Sequence, residues 1–513
     1  KERLAGFASS NSESEKLALS VGPEIQDKTI ATKTLQDCLL ALQGEQDKGI
    51  YFANNNTENF LAYGELFQES LKILNLLQKS GLQSKQFLIF QIQNQTLFLK
   101  TFWACILGGI IPAPISVPEI FENGSAQTQK LLNVLKLLDN PLVVSDQPES
   151  LNKFLAENNL QLKVVKVEDE IESGGLGQVV HVKSIDPCLI LFTSGSTGVP
   201  KGVLLKHQNI MHMSAGTIQA NQLNSSDITL NWMPLDHVGA IIFLSCLPIH
   251  LQCSQVHVPT AYILEDSLRW LKLIEKHKAT ISWAPNFAFS LINDREPEIK
   301  KGHWNLSYMR FLVNAGEQIT EKTAKRFLSI LGQHQLSEKC IVPAFGMSET
   351  CSGISWSLEF SLKSNNSSQN VVGLGAPIPG ASFRIVSENN SIVKEGDIGK
   401  FQLKGNSVFS GYYRLNEINQ LKFTSDGWFD TGDVGFLKDG HLYLTGRSKD
   451  DIIINGVNFF AHDIEQTIDE LGQTEVSFTA ACPVRLHSNE NEKLCIFVVP
   501  RVTSKAFSKQ NIR

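Results

Sequence analysis

From Thr34 onward the chain alternates short apolar runs with amphipathic stretches, and this rhythm constrains its fold more than any other feature. "LAYGELFQESLKILNLLQKSG" (Leu61 to Gly81) spaces apolar residues three and four apart and stops at glycine, which predicts an amphipathic helix. "KQFLIFQIQ" follows as a short buried strand and "TLFLKTFWACILGG" as the next helix. Further strand-like runs recur in "NPLVVSD", "LKVVKVED", "PCLILFTSG", "ATISWAPN", "MRFLVNAGE" and "CIVPAFG". Apolar strands separated by helix-length segments predict α/β layers built on largely parallel sheet.

At 513 residues the chain exceeds one ordinary core. After about Val371 the text turns to short β runs broken by Asn, Asp and Gly, such as "GWFDTGDVGFLKDGHLYLTG", which predicts a β-rich subdomain over 371–448. After Lys449 come one helix-like run, "DIEQTIDELG", and two strand-like runs, "VSFTAACPV" and "LCIFVVP". The expected plan is an α/β protein: a linker or leading segment over 1–33, then a large domain over 34–448. That domain comprises two α/β layered subdomains and the β-rich one; a hinge leads to part of a small α+β C-terminal domain over 449–513. The chain opens on Lys1 and closes on "SKQNIR" without a cap, so it is expected to be a piece of a longer polypeptide.

Composition narrows the partners. With 42% hydrophobic and 19% charged residues the chain reads as globular, and a net charge of −6 argues against nucleic acid. The most apolar runs, "WACILGGII" and "VGAIIFLSCLPI", fall short of the roughly 18 residues of a membrane span and read as core. Nine scattered cysteines without a CxxC suggest reduced thiols and a cytoplasmic protein; the histidines show no metal spacing.

"LILFTSGSTGVPKGV" runs a buried strand straight into a Gly/Ser/Thr loop with a lysine. Glycines let backbone N–H groups turn toward an anion, hydroxyls add donors, and Lys201 supplies a point charge. It is not a Walker A loop, because Pro200 precedes the lysine and Gly202 follows it. Thr193, Ser194, Gly195, Ser196, Thr197, Gly198 and Lys201 are therefore the candidate phosphate cradle.

This run resembles the signature loop of the adenylate-forming superfamily: acyl-CoA synthetases, nonribosomal-peptide adenylation domains, fatty acyl-AMP ligases and luciferases. Five further motifs in the expected order carry the resemblance. "WMPLDHVGAI" is similar to the segment that brings a histidine, His237, to the substrate pocket. "NAGEQI" is similar to the strand-end turn beside adenine, with Gly316 and Glu317 toward the nucleotide and Asn314, Ala315 and Gly316 toward the substrate. "AFGMSET" is similar to the motif in which an aromatic, Phe345, stacks on adenine with Gly346, Met347 and Ser348 beside it; its glutamate, Glu349, holds Mg²⁺, and Cys351 follows on the pocket side. "FDTGDVG" and "GRSKDDIIINGVNFFAHDIE" are similar to the ribose and hinge motifs, with Asp433, Arg447 and the hinge residue Lys449. The physics agrees: an aromatic face suits a purine, a carboxylate suits Mg²⁺ or two ribose hydroxyls.

The resemblance implies activation of a carboxylic acid by ATP and Mg²⁺, with His237, Glu349 and Lys449 in catalytic roles. Relatives that take α-amino acids pair the ammonium with an aspartate just after the histidine; here that place is Val238. Asp236 is adjacent, but alternation of side chains aims it elsewhere. A buried ammonium without a partner charge is costly, so the expected substrate is a fatty, arylpropanoid or 2-keto acid. "PLDHVG", "WAPNFAFSLI" and "NAGEQIT" are most similar to fatty acyl-AMP ligases and the related loading domains of hybrid polyketide–nonribosomal-peptide assembly lines, the microcystin loading domain among them. The implied acceptor is the phosphopantetheine thiol of a carrier protein on the same polypeptide. A free-standing acyl-CoA synthetase and a non-catalytic nucleotide-binding module are the alternatives. The family's lysine in an "NGK"-like motif does not occur after Lys449; Lys505 and Lys509 stand in other contexts, so it is expected past Arg513.

Overall fold

A computed structural model of the protein describes residues 16–54, 57–168, 175–193, 200–364, 367–368, 371–447, 451–454, 457–469, 471, 473–484 and 493–500. The alternation of the sequence becomes two largely parallel sheets. The larger has nine strands, in the order Ala376–Pro377, Ser352–Trp356, Ile341–Met347, Phe311–Asn314, Ile281–Ala284, Ile228–Asn231, Ser254–His257, Gly49–Ala53 and Glu58–Ala62. Its strands from Ile341–Met347 to Gly49–Ala53 run parallel, and antiparallel strands close both edges. The smaller sheet is parallel throughout, in the order Ile111–Pro114, Phe87–Gln91, Leu142–Ser145 and Val164–Lys166.

The helix Gln95–Gly108 is buried from Leu97 through Gly108, with no polar face. Asn94 caps its start by accepting from the Leu97 N–H, and Gly109 ends it at φ 64°. Trp103, fully buried there, would cost about 3–5 kcal/mol on truncation to alanine. The helix Tyr63–Lys79 is the amphipathic one expected, with Leu66, Phe67, Leu74 and Leu77 inward. "VGAIIFLSCLPI" is core, as expected, but coiled as a π-helix over Gly239–Cys246, a form that recurs at functional sites.

The leading segment departs from the linker expected of it. Leu19–Val21 pairs antiparallel with Ala381–Val386 and completes a five-stranded sheet with Gly399–Gly405, Phe429–Lys438 and His441–Arg447. A three-residue edge strand carries too little periodicity to be read, and only its partner, far along the chain, reveals it. Ala376–Pro377 pairs with Ser352–Trp356 of the large sheet, and Val371 packs with Phe436 and Tyr443 of the β-rich part.

Beyond the described part of the hinge motif, a hairpin of Asp451–Ile454 and Val457–Phe460 leads to the helix Ala461–Asp469 and the antiparallel pair Thr474–Val484 and Lys493–Pro500. Seven of the nine cysteines are buried and all are free. Among the described residues no helix is long and apolar enough to cross a membrane.

Candidate active site

The candidate phosphate loop lies between two antiparallel strands, Pro187–Thr193 and Lys201–Lys206, with Thr193 opposite Lys201. Ser194, Gly195, Ser196, Thr197 and Gly198 lie outside the described residues, as does Lys449. The hairpin is braced by the segment after Gly405: the Tyr413 N–H donates to the Gly202 carbonyl at 2.8 Å, and Val203 bridges Tyr412. The Lys201 ammonium sits 5.2 Å from the centre of the Tyr412 ring, a cation–π contact.

Glu349 arrives from the central sheet. Strand Ile341–Met347 ends in a single 3₁₀ turn, Ser348–Thr350, in which the Thr350 hydroxyl accepts from the Met347 N–H. The turn buries the Glu349 side chain, whose Oε1 accepts from the Tyr412 hydroxyl at 2.7 Å. Burial pushes the Glu349 carboxyl above the usual carboxylate range, and the Tyr412 bond and the charges of Lys201 and Arg447 pull it back. The next two residues are left-handed without being glycine, Cys351 at φ 61° and Ser352 at φ 121°, the kind of strain that gathers at functional sites. Half-buried Phe345 meets the Phe401 ring edge-on at 5.4 Å.

Asp433 and Arg447 face one another across adjacent strands, so the β-sheet register alone joins them: the Arg447 Nε–H donates to Asp433 Oδ1 at 3.1 Å. Asp433 is buried and its carboxyl is pushed up by that burial, against the pull of Arg447.

His237 stacks on Trp283 with ring centres 4.8 Å apart and planes 24° apart. The Gly239 N–H donates to its Nδ1 at 3.1 Å, so the neutral ring carries its proton on Nε2. Surrounding protein holds its pKa below the ordinary value, with the Asp236 charge opposing, although one edge of the ring stays open. That edge opens on a narrow apolar pocket walled by Val238, Phe243, Trp283, Ala315, Gly316 and Trp356. Two glycines permit the indoles to close in: a Cβ on Gly353 would lie 2.1 Å from Trp356 Cη2, and one on Gly239 would lie 3.0 Å from Trp283 Cε3. The Trp283 indole N–H donates to the Ala315 carbonyl at 3.2 Å.

Two expected pocket residues turn away. Strand alternation sends Val313 and Ala315 to the pocket and buries Asn314 on the other face, where its amide donates to Asn286 Oδ1 at 3.3 Å. Cys351 is buried with its Sγ 3.5 Å from the Ser407 carbonyl, and Ser352 and Gly353 reach the pocket in its place. Glu317 accepts from the Phe287 N–H at 2.5 Å at the mouth of the turn. Asp236 lines a different, wider cleft with Pro234, Leu235 and Ser116. Tyr412, Trp283 and Trp356 were not legible as site residues, because an isolated aromatic in a strand or turn reads as core.

The chain belongs to the family of AMP-binding enzymes, whose model matches residues 41–413. It is 31% identical to the nonribosomal peptide synthetase apvA of Aspergillus terreus (strain NIH 2624 / FGSC A1156), over 91% of this chain and 52% of that protein. The structure of McyG A-PCP complexed with phenylalanyl-adenylate is 45% identical with a TM-score of 0.88, covering 95% of this chain and 77% of that one. The adenylation domain of a keto acid-selecting NRPS module bound to keto acyl adenylate is 33% identical with a TM-score of 0.82, covering 96% and 92%. The chain thus shares the architecture of these adenylation enzymes, a large N-terminal domain followed by a small C-terminal one, and it spans about half the length of the named synthetases it matches.

Proposed function

We propose that this chain activates a 2-keto or aryl-bearing carboxylic acid without an α-ammonium group, and passes the acyl group to the phosphopantetheine thiol of a carrier protein on the same polypeptide. The observation that carries this reading is the pocket wall beside His237: Val238 stands there, the pocket has no acidic side chain among the described residues, and Asp236 faces another cleft. An ammonium in that pocket would be desolvated without a counter-charge. The adenylation domain bound to keto acyl adenylate supports the 2-keto branch, and the A-PCP arrangement of the McyG structure supports a carrier protein as acceptor.

In the first step a carboxylate oxygen of the acid attacks the α-phosphorus of ATP; the acyl–phosphate bond forms and pyrophosphate leaves. In the second, the thiol sulfur attacks the acyl carbonyl and AMP leaves. Lys201, Ser194, Ser196 and Thr197 hold the β- and γ-phosphates, Asp433 accepts from the ribose hydroxyls, and Phe345 offers its face to the adenine. Mg²⁺ carried by ATP requires only one or two protein carboxylates, the rest of its shell being phosphate and water, and the buried Glu349 fits that demand. Bound there, the ion would neutralise phosphate charge. His237, neutral with its proton on Nε2, can donate to the carboxylate and orient it. Lys449 is the proposed hinge on which the small domain turns between steps.

ATP–pyrophosphate exchange over fatty, arylpropanoid, 2-keto and amino acids tests the proposal. Exchange with a phenyl-bearing 2-keto acid or an arylpropanoid acid supports it. Exchange with phenylalanine alone, the second reading suggested by the phenylalanyl-adenylate in the McyG structure, overturns the assignment of Val238. Exchange with no acid at all favours a non-catalytic nucleotide-binding module.

A further inference from the structure

We infer that Tyr412 is a positioning residue for adenylation, registering the buried acid of the site against its phosphate-loop lysine. Its hydroxyl donates to Glu349 Oε1 at 2.7 Å, and its ring face lies 5.2 Å from the Lys201 ammonium. One side chain therefore touches both groups that handle the phosphate end of ATP in the proposed function, on which this inference rests.

The surroundings fix Tyr412 more firmly than packing alone would. Asn419, on the helix Asn416–Lys422, clamps its backbone from both sides: Asn419 Oδ1 accepts from the Tyr412 N–H at 2.7 Å, and Asn419 Nδ2 donates to the Tyr412 carbonyl at 2.9 Å. The neighbouring Tyr413 N–H bonds the Gly202 carbonyl at 2.8 Å, and Phe409, whose N–H donates to the Glu349 carbonyl at 2.8 Å, meets the Tyr412 ring edge-on at 4.9 Å. The loop between the sheet strand Gly399–Gly405 and the helix Asn416–Lys422 thus ties the phosphate hairpin to the acid turn.

A hydroxyl donated to one carboxylate oxygen fixes the rotation of the carboxylate and leaves the orientation of its second oxygen determined. A buried carboxylate lacking that bond could rotate toward Lys201 and pair with it, removing both groups from the nucleotide. Tyr412 prevents this by occupying one oxygen and by placing its ring against the ammonium. The contribution acts through Glu349 and Lys201 and requires no contact of Tyr412 with the reacting atoms.

The test compares equilibrium ATP binding by calorimetry with and without Mg²⁺ in wild type, Y412F, Y412L, E349Q and the double variant Y412F/E349Q. Y412F keeps the ring against Lys201 and removes only the hydroxyl. It should reduce the Mg²⁺-dependent tightening of ATP binding about ten-fold while leaving Mg²⁺-free ATP affinity within about two-fold. Y412L should weaken Mg²⁺-free binding as well, since it also removes the cation–π contact. In the E349Q background Y412F should have no further effect on Mg²⁺ dependence, the signature of two groups acting as one. Thermal melts run alongside, and N419A, which frees the Tyr412 backbone but retains the hydroxyl, should give a smaller loss of the same sign should Y412F not fold. Wild-type Mg²⁺ dependence in folded Y412F, or equal losses with and without Mg²⁺, would overturn the positioning role while leaving Glu349 in place. Unaltered Mg²⁺ dependence in E349Q would overturn both this inference and the magnesium assignment beneath it.

Discussion

The proposed nucleotide side of the site and the proposed carboxylate pocket are built on opposite principles. On the proposed nucleotide side, two buried carboxylates and a half-buried lysine have specific partners: Glu349 has Tyr412, Asp433 has Arg447, and Lys201 has an aromatic ring. In the pocket, apolar walls dominate, and shape comes from two tryptophans that two glycines allow to approach. The first region needs fixed charge, because ATP has the same charges in every turnover and each partner bond removes a degree of rotational freedom. The second needs only volume and the absence of a counter-charge, so a single side chain, Val238, carries much of its selectivity.

The sharpest way to break this division is at Lys201. K201A should lower ATP–pyrophosphate exchange by about 10²–10³-fold for every acid alike, with the melting temperature little changed. An effect confined to one acid would mean that the lysine belongs to the pocket side; unchanged exchange in folded protein would remove its phosphate role altogether.

A smaller effect, opposite in kind, is expected at Val238. V238D supplies the missing carboxylate, so exchange with 2-keto and arylpropanoid acids should fall about ten-fold or more, and exchange with phenylalanine should rise relative to them. Calorimetric ATP affinity should stay within about two-fold. A parallel loss of ATP affinity would show the two regions to be coupled rather than separate.

A third effect, on stability and not on exchange, belongs to neither region. His207 and His257 are buried in the scaffold, and burial pulls their pKa values down to about 4 and about 3. The unfolded chain, near 6.5, then binds more protons than the folded one. The stability held by these neutral rings is therefore complete above pH 6.5 and falls as the pH drops from 6.5 toward about 4 for His207 and about 3 for His257, by up to about 1.4 kcal/mol per unit for each. Urea titrations of the wild type should show this slope against pH; H257N should flatten it, and an unchanged slope in H257N would assign the acid loss to other groups.

Much of the fold was legible because parallel β/α layers repeat a local pattern. "LAYGELFQESLKILNLLQKSG" became the helix Tyr63–Lys79 almost as spaced, and the apolar runs became strands. Leu19–Val21 was missed because its partner, Ala381–Val386, lies beyond any local window. The site divides likewise. Glu349, Asp433, Arg447 and His237 stand in short motifs whose neighbours bear on the same chemistry, so each could be proposed from the sequence. Asn314 and Cys351 were expected at the pocket from the motifs they stand in or follow, and strand alternation and a left-handed turn sent them elsewhere.

By itself the sequence determined the layered α/β plan, the order of the nucleotide motifs and the lack of an acidic residue at Val238, since each is a matter of residue type and spacing. Only the tertiary structure decided that Tyr412 bridges Glu349 and Lys201, and that Trp283 and Trp356 wall the pocket. Those contacts join segments far apart in the chain, and their geometry follows from sheet register and from where glycine leaves room.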